Sequence, residues 1–325
     1  MLLISIPIWI DLPSVFINSK FPKLFLNLKK LRESPNHMGI LFMVLAMTGF
    51  AIEDLVIKLV SVRLPVSQIL IMLGLLSLVW FVLIAQWKRI PLLTKEMLNW
   101  PFIIRTLADL FAALFYVIAV VNSQLSSASA ILQFSPLLVT LGAAFFLREK
   151  VPFGSWIAVG VGLIGMILII RPGTDSFTPA SIFAVLSVVM LALREIATRV
   201  MSVSVSSLAV SSWAFAACAV IGVITVPFFP QPVWPSSSEF ILMLASSVVS
   251  CIAYYALVRA TTEGEISVIA PFRYTRLLFA LILSFWILGE QPDSIMYIGA
   301  SLVVCSGLYN LGIGRLIFTT QSTSS

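Results

Sequence analysis

The sequence predicts an all-α integral membrane protein with ten transmembrane helices arranged as two inverted five-helix repeats. Three observations support this fold class. The 325 residues are 60% apolar and only 10% charged, whereas a soluble domain carries about a quarter charged residues. Apolar stretches of about 20 residues, each long enough to cross a bilayer as a helix, recur between Met38 and Leu316. A pattern of charges in the first half of the chain also returns in the second half.

The ten predicted spans follow the apolar stretches in chain order. Their bounds are 38–60, 66–87, 100–121, 127–147, 153–170, 178–200, 207–228, 239–258, 266–288 and 294–316. An even number of spans places both termini on one side. Of the 20 Lys and Arg residues, 13 fall in the loops and tails of that side, and only Arg63 and Arg171 fall on the other. The positive-inside rule therefore predicts a multi-pass protein of the cytoplasmic (inner) membrane with both termini cytoplasmic.

Four segments are predicted along the chain. Residues 1–37 form an amino-terminal cytoplasmic or interfacial extension, 38–171 the first repeat, 178–316 the second repeat and 317–325 a cytoplasmic tail. Within the extension, the stretch from Lys20 to Arg32 alternates apolar and basic residues in a way that suits a helix lying on an anionic membrane surface. A poorly ordered extension explains the same stretch equally well.

The repeat is visible in the positions of charged residues. Phe50–Val60 contains an acid and a base four residues apart, and Leu191–Met201 repeats that arrangement 141 residues later. The same offset superposes Phe145–Glu149 on Trp286–Glu290. Five spans in each half force the second half to enter the membrane from the opposite side. Such inverted repeats are typical of secondary transporters, in which two similar halves open a central site first to one side and then to the other.

With these features in place, the chain resembles the drug/metabolite transporter superfamily, specifically its EamA branch. The resemblance covers about Met38 to Leu316, and the segment Ser267–Glu290 is similar to bacterial members described as S-adenosylmethionine or riboflavin transporters. It implies a carrier of a small metabolite that works by alternating access, with a cavity between the halves and the fifth and tenth spans at the periphery. Two departures leave the substrate open: Glu195 stands where Asp is expected, and Arg148 where Gly is often found.

Ionisable residues inside the spans are the candidates for function. A charge at a helix centre costs about 2.5 to 3.5 kcal/mol to insert, so these residues must face inward. The candidates for substrate binding or coupling are Asp54, Arg105, Asp109, Tyr116, Gln133, Glu195, Arg273, Tyr274 and Arg276, with Glu53, Lys58, Arg194 and Arg199 as supporting charges. Residues four apart share a helix face, which predicts the pairs Asp54–Lys58, Arg105–Asp109 and Glu195–Arg199.

The candidates have different reasons behind them. Asp54 and Glu195 occupy equivalent places in the two halves, where a carboxylate could bind a proton or a cationic substrate. Arg273 and Arg276 have no acid on their own helix, so their counter-charge must come from another span or from an anionic substrate. The alternative for all of them is a set of fixed ion pairs that stabilise the bundle.

Three uncharged candidates complete the set. Tyr116 and Tyr274 could stack on a flat substrate ring or simply pack in the core. Gln133 lies close to Pro136, and a proline inside a membrane helix frees a backbone carbonyl and favours a kink. That kink could serve as a gate.

Several other functions lack the residues that they need. His37 is the only histidine, and the three cysteines lie apart in apolar spans, so no catalytic residues, metal site or cofactor site is predicted. Gly160–Gly165 matches a dinucleotide-binding pattern, but it lies inside a span and is better explained by helix packing. The basic residues follow the membrane topology and do not indicate nucleic-acid binding.

The predicted function is therefore secondary active transport of a small metabolite, and the chain is not expected to be an enzyme. No Walker A motif is present to bind ATP. The expected partners are a small-molecule substrate and the lipid bilayer, while proton coupling and a homodimer stay open. The alternatives are an exporter of amino acids or related metabolites and, from another class, a channel or a non-transporting receptor.

Overall fold

The computed structural model describes residues 35–149, 151–174, 177–201, 206–263 and 266–322, and the surface helix predicted near Lys20–Arg32 lies outside them. Within the described residues every regular element is helical, and ten helical segments are long and apolar enough to cross a membrane, which confirms the predicted fold class. In chain order they are α1 (Pro35–Val60), α2 (Val66–Trp87), α3 (Trp100–Asn122), α4 (Leu125–Phe146), α5 (Phe153–Ile170), α6 (Ala180–Val200), α7 (Ser207–Thr225), α8 (Ser237–Glu263), α9 (Ala270–Leu288) and α10 (Ser294–Ser322).

Proline and a capping serine set several helix ends. Pro65 and Pro152 immediately precede α2 and α5, and Pro101 occupies the first turn of α3, where its missing N–H is not needed. The Ser206 side chain accepts a hydrogen bond of 3.2 Å from the Ala209 N–H and so caps α7. At the other end of the chain α10 continues to Ser322, into the segment predicted as a tail.

The fourth helix of each half is interrupted. In α4, an α-helix over Leu125–Leu132 ends at Gln133, and a second begins at Ser135, with Pro136 in its first turn. The break lies where the proline predicts it. The predicted ninth span is present, and within it α9 consists of a 3₁₀ turn, an α-helix and a π-helical end, over Ala270–Tyr274, Thr275–Leu283 and Ser284–Leu288.

The helices pair across the two halves in a way that follows the repeat. The most extensive contacts join α1 to α8, α3 to α6, α2 to α7 and α5 to α10. In the repeat, α1 to α5 are equivalent to α6 to α10. The α1–α8 pair is therefore equivalent to the α6–α3 pair, and the α2–α7 and α5–α10 pairs are each equivalent to themselves. The same set of contacts therefore serves both halves, as an inverted repeat requires.

Local backbone geometry repeats at the ends of α4 and α9. The Glu149 N–H donates to the Ala143 carbonyl at 3.2 Å, and the Glu290 N–H donates to the Ser284 carbonyl at 3.1 Å. Each bond joins residues six positions apart and so closes a wide turn of seven residues. The residue just before each glutamate has a left-handed conformation, with φ of 68° at Gly289 and 54° at Arg148.

This conformation predicts the effect of a single substitution. Glycine adopts left-handed φ without a steric cost, whereas other L-residues lose about 1 to 2 kcal/mol there. We expect Arg148→Gly to raise the free energy of unfolding by about 1 kcal/mol, measured as a higher denaturation temperature in detergent. Lys88, with φ of −83°, is the control position: Lys88→Gly should give no such gain. A lower denaturation temperature for Arg148→Gly would contradict this reading.

Small residues allow close helix crossings between the halves. A Cβ added at Gly74 of α2 would lie 2.4 Å from the Ala219 backbone nitrogen of α7, and one added at Gly222 would lie 2.7 Å from the Ile71 nitrogen. Both contacts are to backbone, which cannot rotate away. The α2–α7 crossing is therefore a site of small-residue packing of the kind that joins helices within lipid.

We expect Gly74→Ala to destabilise the protein by about 1 to 3 kcal/mol, because α2 and α7 must separate to make room. Gly160, whose added Cβ meets nothing within 4 Å, provides the matched control, and Gly160→Ala should have little effect. Thermal denaturation of both variants in the same detergent measures the difference. Equal denaturation temperatures would show that the crossing tolerates the added methyl group.

Candidate functional site

Charged residues predicted inside the spans meet between α1, α3, α6 and α9. Four ion pairs connect them: Asp54 with Arg276, Glu195 with Arg273, and Asp109 with both Arg105 and Arg194. We call these seven residues the charged cluster. Two of the four pairs join the first half of the chain to the second, so relative movement of the halves must change them.

Asp54 has the most buried side chain of the charged cluster, and it pairs with Arg276. The Arg276 Nε and Nη2 atoms donate to the two carboxylate oxygens of Asp54 at 3.0 and 2.8 Å. The Phe50 and Tyr116 rings lie 5.5 and 5.4 Å from the guanidinium carbon, within the range of cation–π attraction. Among the described residues no hydrogen bond engages Nη1, which leaves a donor for another group.

The Glu195–Arg273 pair is more open. Arg273 Nη1 donates to Glu195 Oε1 at 2.9 Å, and the two side chains are 26% (Glu195) and 37% (Arg273) exposed, against 2% for Asp54. Glu195 lies near the end of α6 and Arg273 near the start of α9. Because successive spans alternate in direction, both positions lie toward the side on which α1 begins. The more exposed pair of the charged cluster therefore lies toward that side.

Asp109 links two helices. Its Oδ2 atom accepts a hydrogen bond of 2.7 Å from Arg105 on the same helix, α3, and its Oδ1 atom accepts one of 3.3 Å from Arg194 on α6. The Arg105 and Asp109 side chains are at most 10% exposed, whereas the Arg194 side chain is 33% exposed. Asp109 therefore forms one buried pair with Arg105 within α3. It forms a second pair with the more exposed Arg194, and this pair joins α3 to α6.

Two of the predicted intrahelical pairs are wrong. Asp54 pairs with Arg276 and not with Lys58, and Glu195 pairs with Arg273 and not with Arg199. Spacing of four residues brings side chains onto one face, but a guanidinium from α9 offers the buried carboxylates stronger, directional bonds. The third predicted pair, between Arg105 and Asp109, is present. Arg199 instead lies 3.6 Å from Glu149, with both side chains about half exposed.

The uncharged candidates occupy three different places. Tyr116 covers the Arg276 guanidinium, as described above. The Tyr274 hydroxyl lies so close to Gly307 of α10 that a Cβ there would be 1.6 Å away, so this ring fills the α9–α10 contact. Gln133 is buried at the break in α4, and its amide nitrogen has no hydrogen-bond partner among the described residues. The structure therefore brings Tyr116, and not Tyr274, against the Asp54–Arg276 pair.

Phe50 is a site residue that the sequence reasoning missed. It lies four residues before Asp54, on the same face of α1, and forms the second aromatic wall of the Arg276 guanidinium. The spacing to Asp54 was visible in the sequence. The role of Phe50 follows only from the structure, in which Arg276 of α9 lies against that face of α1.

On the side where α1 ends, Lys58 joins α1 to the end of α3. Its Nζ atom donates to three carbonyl oxygens, those of Val120, Val121 and Ser123, at 3.0, 3.1 and 2.6 Å. These are carbonyls that the last turn of a helix leaves unpaired. A cation is also favoured at a helix carboxyl end.

Glu290 makes the complementary contact to the start of α4. Its carboxylate accepts hydrogen bonds from the Leu125 N–H at 2.7 Å, from the Ser126 N–H at 3.0 Å and from the Ser126 hydroxyl at 2.7 Å. An anion at a helix amino end satisfies free N–H groups and the helix dipole. We call Lys58 and Glu290, with the helix ends that they hold, the latch.

A cavity of about 530 Å³ borders the latch on that side. Both latch side chains line it, together with Asn122, Ser123, Gln124 and Thr178. The apolar side chains of Leu59, Val62, Val121 and Leu288 complete the lining. The latch therefore borders a cavity on the side of the protein opposite to the Arg273–Glu195 pair.

Among the residues that the structure describes, no group of three His, Cys, Asp or Glu residues could hold a metal ion. The three cysteines are free, with Cys218 and Cys251 buried. The ion pairs of the charged cluster join carboxylates to guanidinium groups.

Comparison with known proteins places this arrangement in a family. The model of the EamA-like transporter family matches residues 37–171 and 178–311, one match in each half. A solved crystal structure has a TM-score of 0.55 at 18% sequence identity, over 84% of this chain and 98% of that one. At this identity the likeness concerns the fold alone.

Three curated relatives are named as transporters. A Rickettsia felis S-adenosylmethionine uptake transporter is 25% identical over 54% of this chain and 58% of its own length. A Vibrio cholerae riboflavin transporter is 22% identical over 82% of this chain and 91% of its own length. A Pseudomonas aeruginosa pseudopaline exporter is 24% identical over 82% of this chain and 93% of its own length. The relatives thus include uptake and export proteins with different substrates.

Proposed function

Since the chain belongs to the EamA-like transporter family, we propose that it is a secondary carrier that moves a small metabolite by alternating access around the charged cluster. The observation that carries this proposal is the graded exposure of the cluster. The Arg273 and Glu195 side chains are 37% and 26% exposed, whereas the Arg276 and Asp54 side chains that join the halves are 20% and 2% exposed. A site that opens to one side and connects both halves is what the mechanism requires.

The chemistry of the open pair suggests the class of substrate. Arg273 can bind a carboxylate through two donors, and Glu195 can bind an ammonium or another cationic group. Because the two already pair with each other, a substrate with both charges replaces their interaction without leaving either buried alone. A zwitterionic metabolite fits best, and S-adenosylmethionine carries these groups together with a flat ring. Riboflavin is the substrate named for another of the relatives.

Export of an amino-acid-like metabolite is the second candidate. The relative named as a pseudopaline exporter matches most of this chain at an identity similar to that of the uptake proteins. Direction follows from the gradients and the coupling, and the same charged cluster can serve either direction.

The latch gives the cycle its second gate. In the proposed cycle, substrate enters from the side on which α1 begins and separates Arg273 from Glu195. The halves then rock, the latch opens as Lys58 and Glu290 leave the helix ends, and the cavity beyond becomes continuous with the charged cluster. The positive-inside bias supports a cytoplasmic location for the α1-start side and for both termini, in a cytoplasmic membrane.

Counterflow in proteoliposomes tests the function. Vesicles containing the protein are preloaded with unlabelled S-adenosylmethionine or riboflavin, and entry of the same labelled compound is followed. A carrier gives transient accumulation of the labelled compound. Its binding site carries unlabelled substrate out of the vesicle and then returns with labelled substrate bound. Arg273→Ala should remove the accumulation while the protein stays folded, since this side chain is partly exposed. Flux without accumulation would identify a channel, and no flux with any metabolite would favour a receptor.

A further inference from the structure

Glu53 stands apart from the ion pairs that organise the charged cluster. It lies beside Asp54 on α1, yet among the described residues no lysine or arginine forms an ion pair with it. Arg276 acts on it only at longer range, since the bonds of that guanidinium go to Asp54. Glu53 lies one turn beyond Gly49, which packs against Ala253 and Val249 of α8, so in this antiparallel helix pair it lies level with Ser250.

The inverted repeat shows what Glu53 lacks. Position 53 in the first half corresponds to Arg194 in the second, and Ser250 corresponds to Asp109, each 141 residues apart. In one half these positions form the Arg194–Asp109 ion pair. In the other half Glu53 faces a serine. The fold thus uses the same contact twice, once between opposite charges and once between a carboxyl group and a neutral hydroxyl.

Among the described residues, the helices around Glu53 and Asp54 bring no unpaired cation to them. The Arg276 guanidinium of α9 bonds Asp54, the Tyr116 ring of α3 lies 5.4 Å from the guanidinium carbon, and Ser250 of α8 is uncharged. Two neighbouring carboxyl groups that share one guanidinium cannot both ionise cheaply. A carboxyl group without a partner in a low-dielectric region avoids its charge by binding a proton.

We propose that Glu53 binds and releases the proton that couples this carrier to the proton gradient, a role that rests on the proposed function. On release, the carboxylic O–H bond breaks and the proton passes to water on one side of the membrane. After the halves exchange conformation, the carboxylate takes a proton from water on the other side. Ionised Glu53 adds a second negative charge beside Arg276, which weakens the Asp54–Arg276 pair and frees α1 to move relative to α9.

The first test needs no substrate. Infrared spectroscopy of the purified protein in lipid follows the C=O stretching band of protonated carboxylic acids as the pH is raised. We expect a band that titrates in the wild type, that is absent in Glu53→Gln and that persists in Glu239→Gln, a matched change at the membrane surface at the start of α8. A titrating band of the same size in Glu53→Gln overturns the proposal.

A second variant guards against a structural artefact. Ser250→Lys introduces a cation at the position where the repeat has its ion-pair partner, so Glu53 should stay ionised and the band should vanish although Glu53 is present. Persistence of the titrating band in Ser250→Lys would count against the proposal. The denaturation temperature of each variant is measured on the same infrared sample, and the comparison is made between variants whose denaturation temperatures are equal.

The transport assay distinguishes proton coupling from substrate transport itself. With S-adenosylmethionine and riboflavin as probes, the counterflow rate of the wild type should change with pH, and accumulation should follow an imposed proton gradient. Glu53→Gln should flatten the pH profile and lose the gradient-driven accumulation completely. A wild-type pH profile in Glu53→Gln overturns the proposal. If neither probe moves in the wild type, the failure belongs to the proposed function, and the infrared titration decides the role of Glu53.

Discussion

Arg276→Ala is expected to abolish transport and to lower the free energy of unfolding by about 3 to 5 kcal/mol. The substitution leaves Asp54, which is 1% exposed, without its counter-charge inside the membrane. It also removes the guanidinium that lies between the Phe50 and Tyr116 rings. Thermal denaturation in detergent measures the loss of stability, and counterflow of S-adenosylmethionine and riboflavin measures the loss of transport.

The control is the double variant Asp54→Asn with Arg276→Gln. Because it removes both charges together, it should recover most of the stability lost in Arg276→Ala, while transport stays absent. A double-mutant cycle over these positions gives the coupling energy of the pair. An Arg276→Ala protein with the stability and transport of the wild type would show that the pair serves neither purpose.

Glu290→Ala is expected to lower the free energy of unfolding by about 3 kcal/mol, since hydrogen bonds to a charged group contribute about 1.5 to 3 kcal/mol and the three are not additive. The substitution leaves the Leu125 and Ser126 N–H groups at the start of α4 without their acceptor. It also opens half of the latch. We therefore expect greater thiol reactivity of a cysteine introduced at Asn122, which lines the adjoining cavity.

Ser126→Ala is the matched control for this prediction. It removes only the hydroxyl bond of 2.7 Å and leaves both backbone N–H bonds to Glu290 in place. Its cost should be about 1 kcal/mol, and the reactivity of the Asn122→Cys thiol should equal that in the protein with Glu290 and Ser126 intact. Equal effects of the two substitutions would mean that the carboxylate does not hold the helix end.

The sequence carried enough information for the spans and for the inward-facing charges. Apolar length is a property of the chain itself, so the ten predicted spans and the helical segments agree closely. The 141-residue offset also predicted the inverted repeat, because equivalent positions keep their charges and their turns. The cost of a charge in lipid required Arg276 to find a partner on another helix, and Asp54 was among the candidates.

Partner choice could not be derived from spacing alone. Lys58 is as close to Asp54 along α1 as the pairing rule requires, yet its ammonium reaches the end of α3, where three carbonyls are free. Nothing local shows that those carbonyls lie within reach. Glu290 likewise caps a helix whose start is about 165 residues earlier in the chain. Such contacts depend on the packing of the halves, which a single sequence does not specify.

The interruptions of α4 and α9 show the same limit in the backbone. Pro136 predicted a break in α4, because in a helix its ring would clash with the carbonyl of the residue four positions earlier. In α9, Pro271 marks the start of the 3₁₀ turn, but the π-helical end over Ser284–Leu288 has no comparable signal. That segment depends on the turn that places Glu290 at the start of α4.

Equilibrium binding of labelled S-adenosylmethionine and riboflavin to the purified protein tests most directly whether the charged cluster is the substrate site. The wild type should bind one of these ligands at a single site, and Arg273→Gln, which keeps the size of the side chain but not its charge, should bind it at least tenfold more weakly. Lys88→Gln, at an exposed cation outside the cluster, should bind as the wild type does. Equal affinities of the wild type and Arg273→Gln would contradict the assignment of the charged cluster as the substrate site.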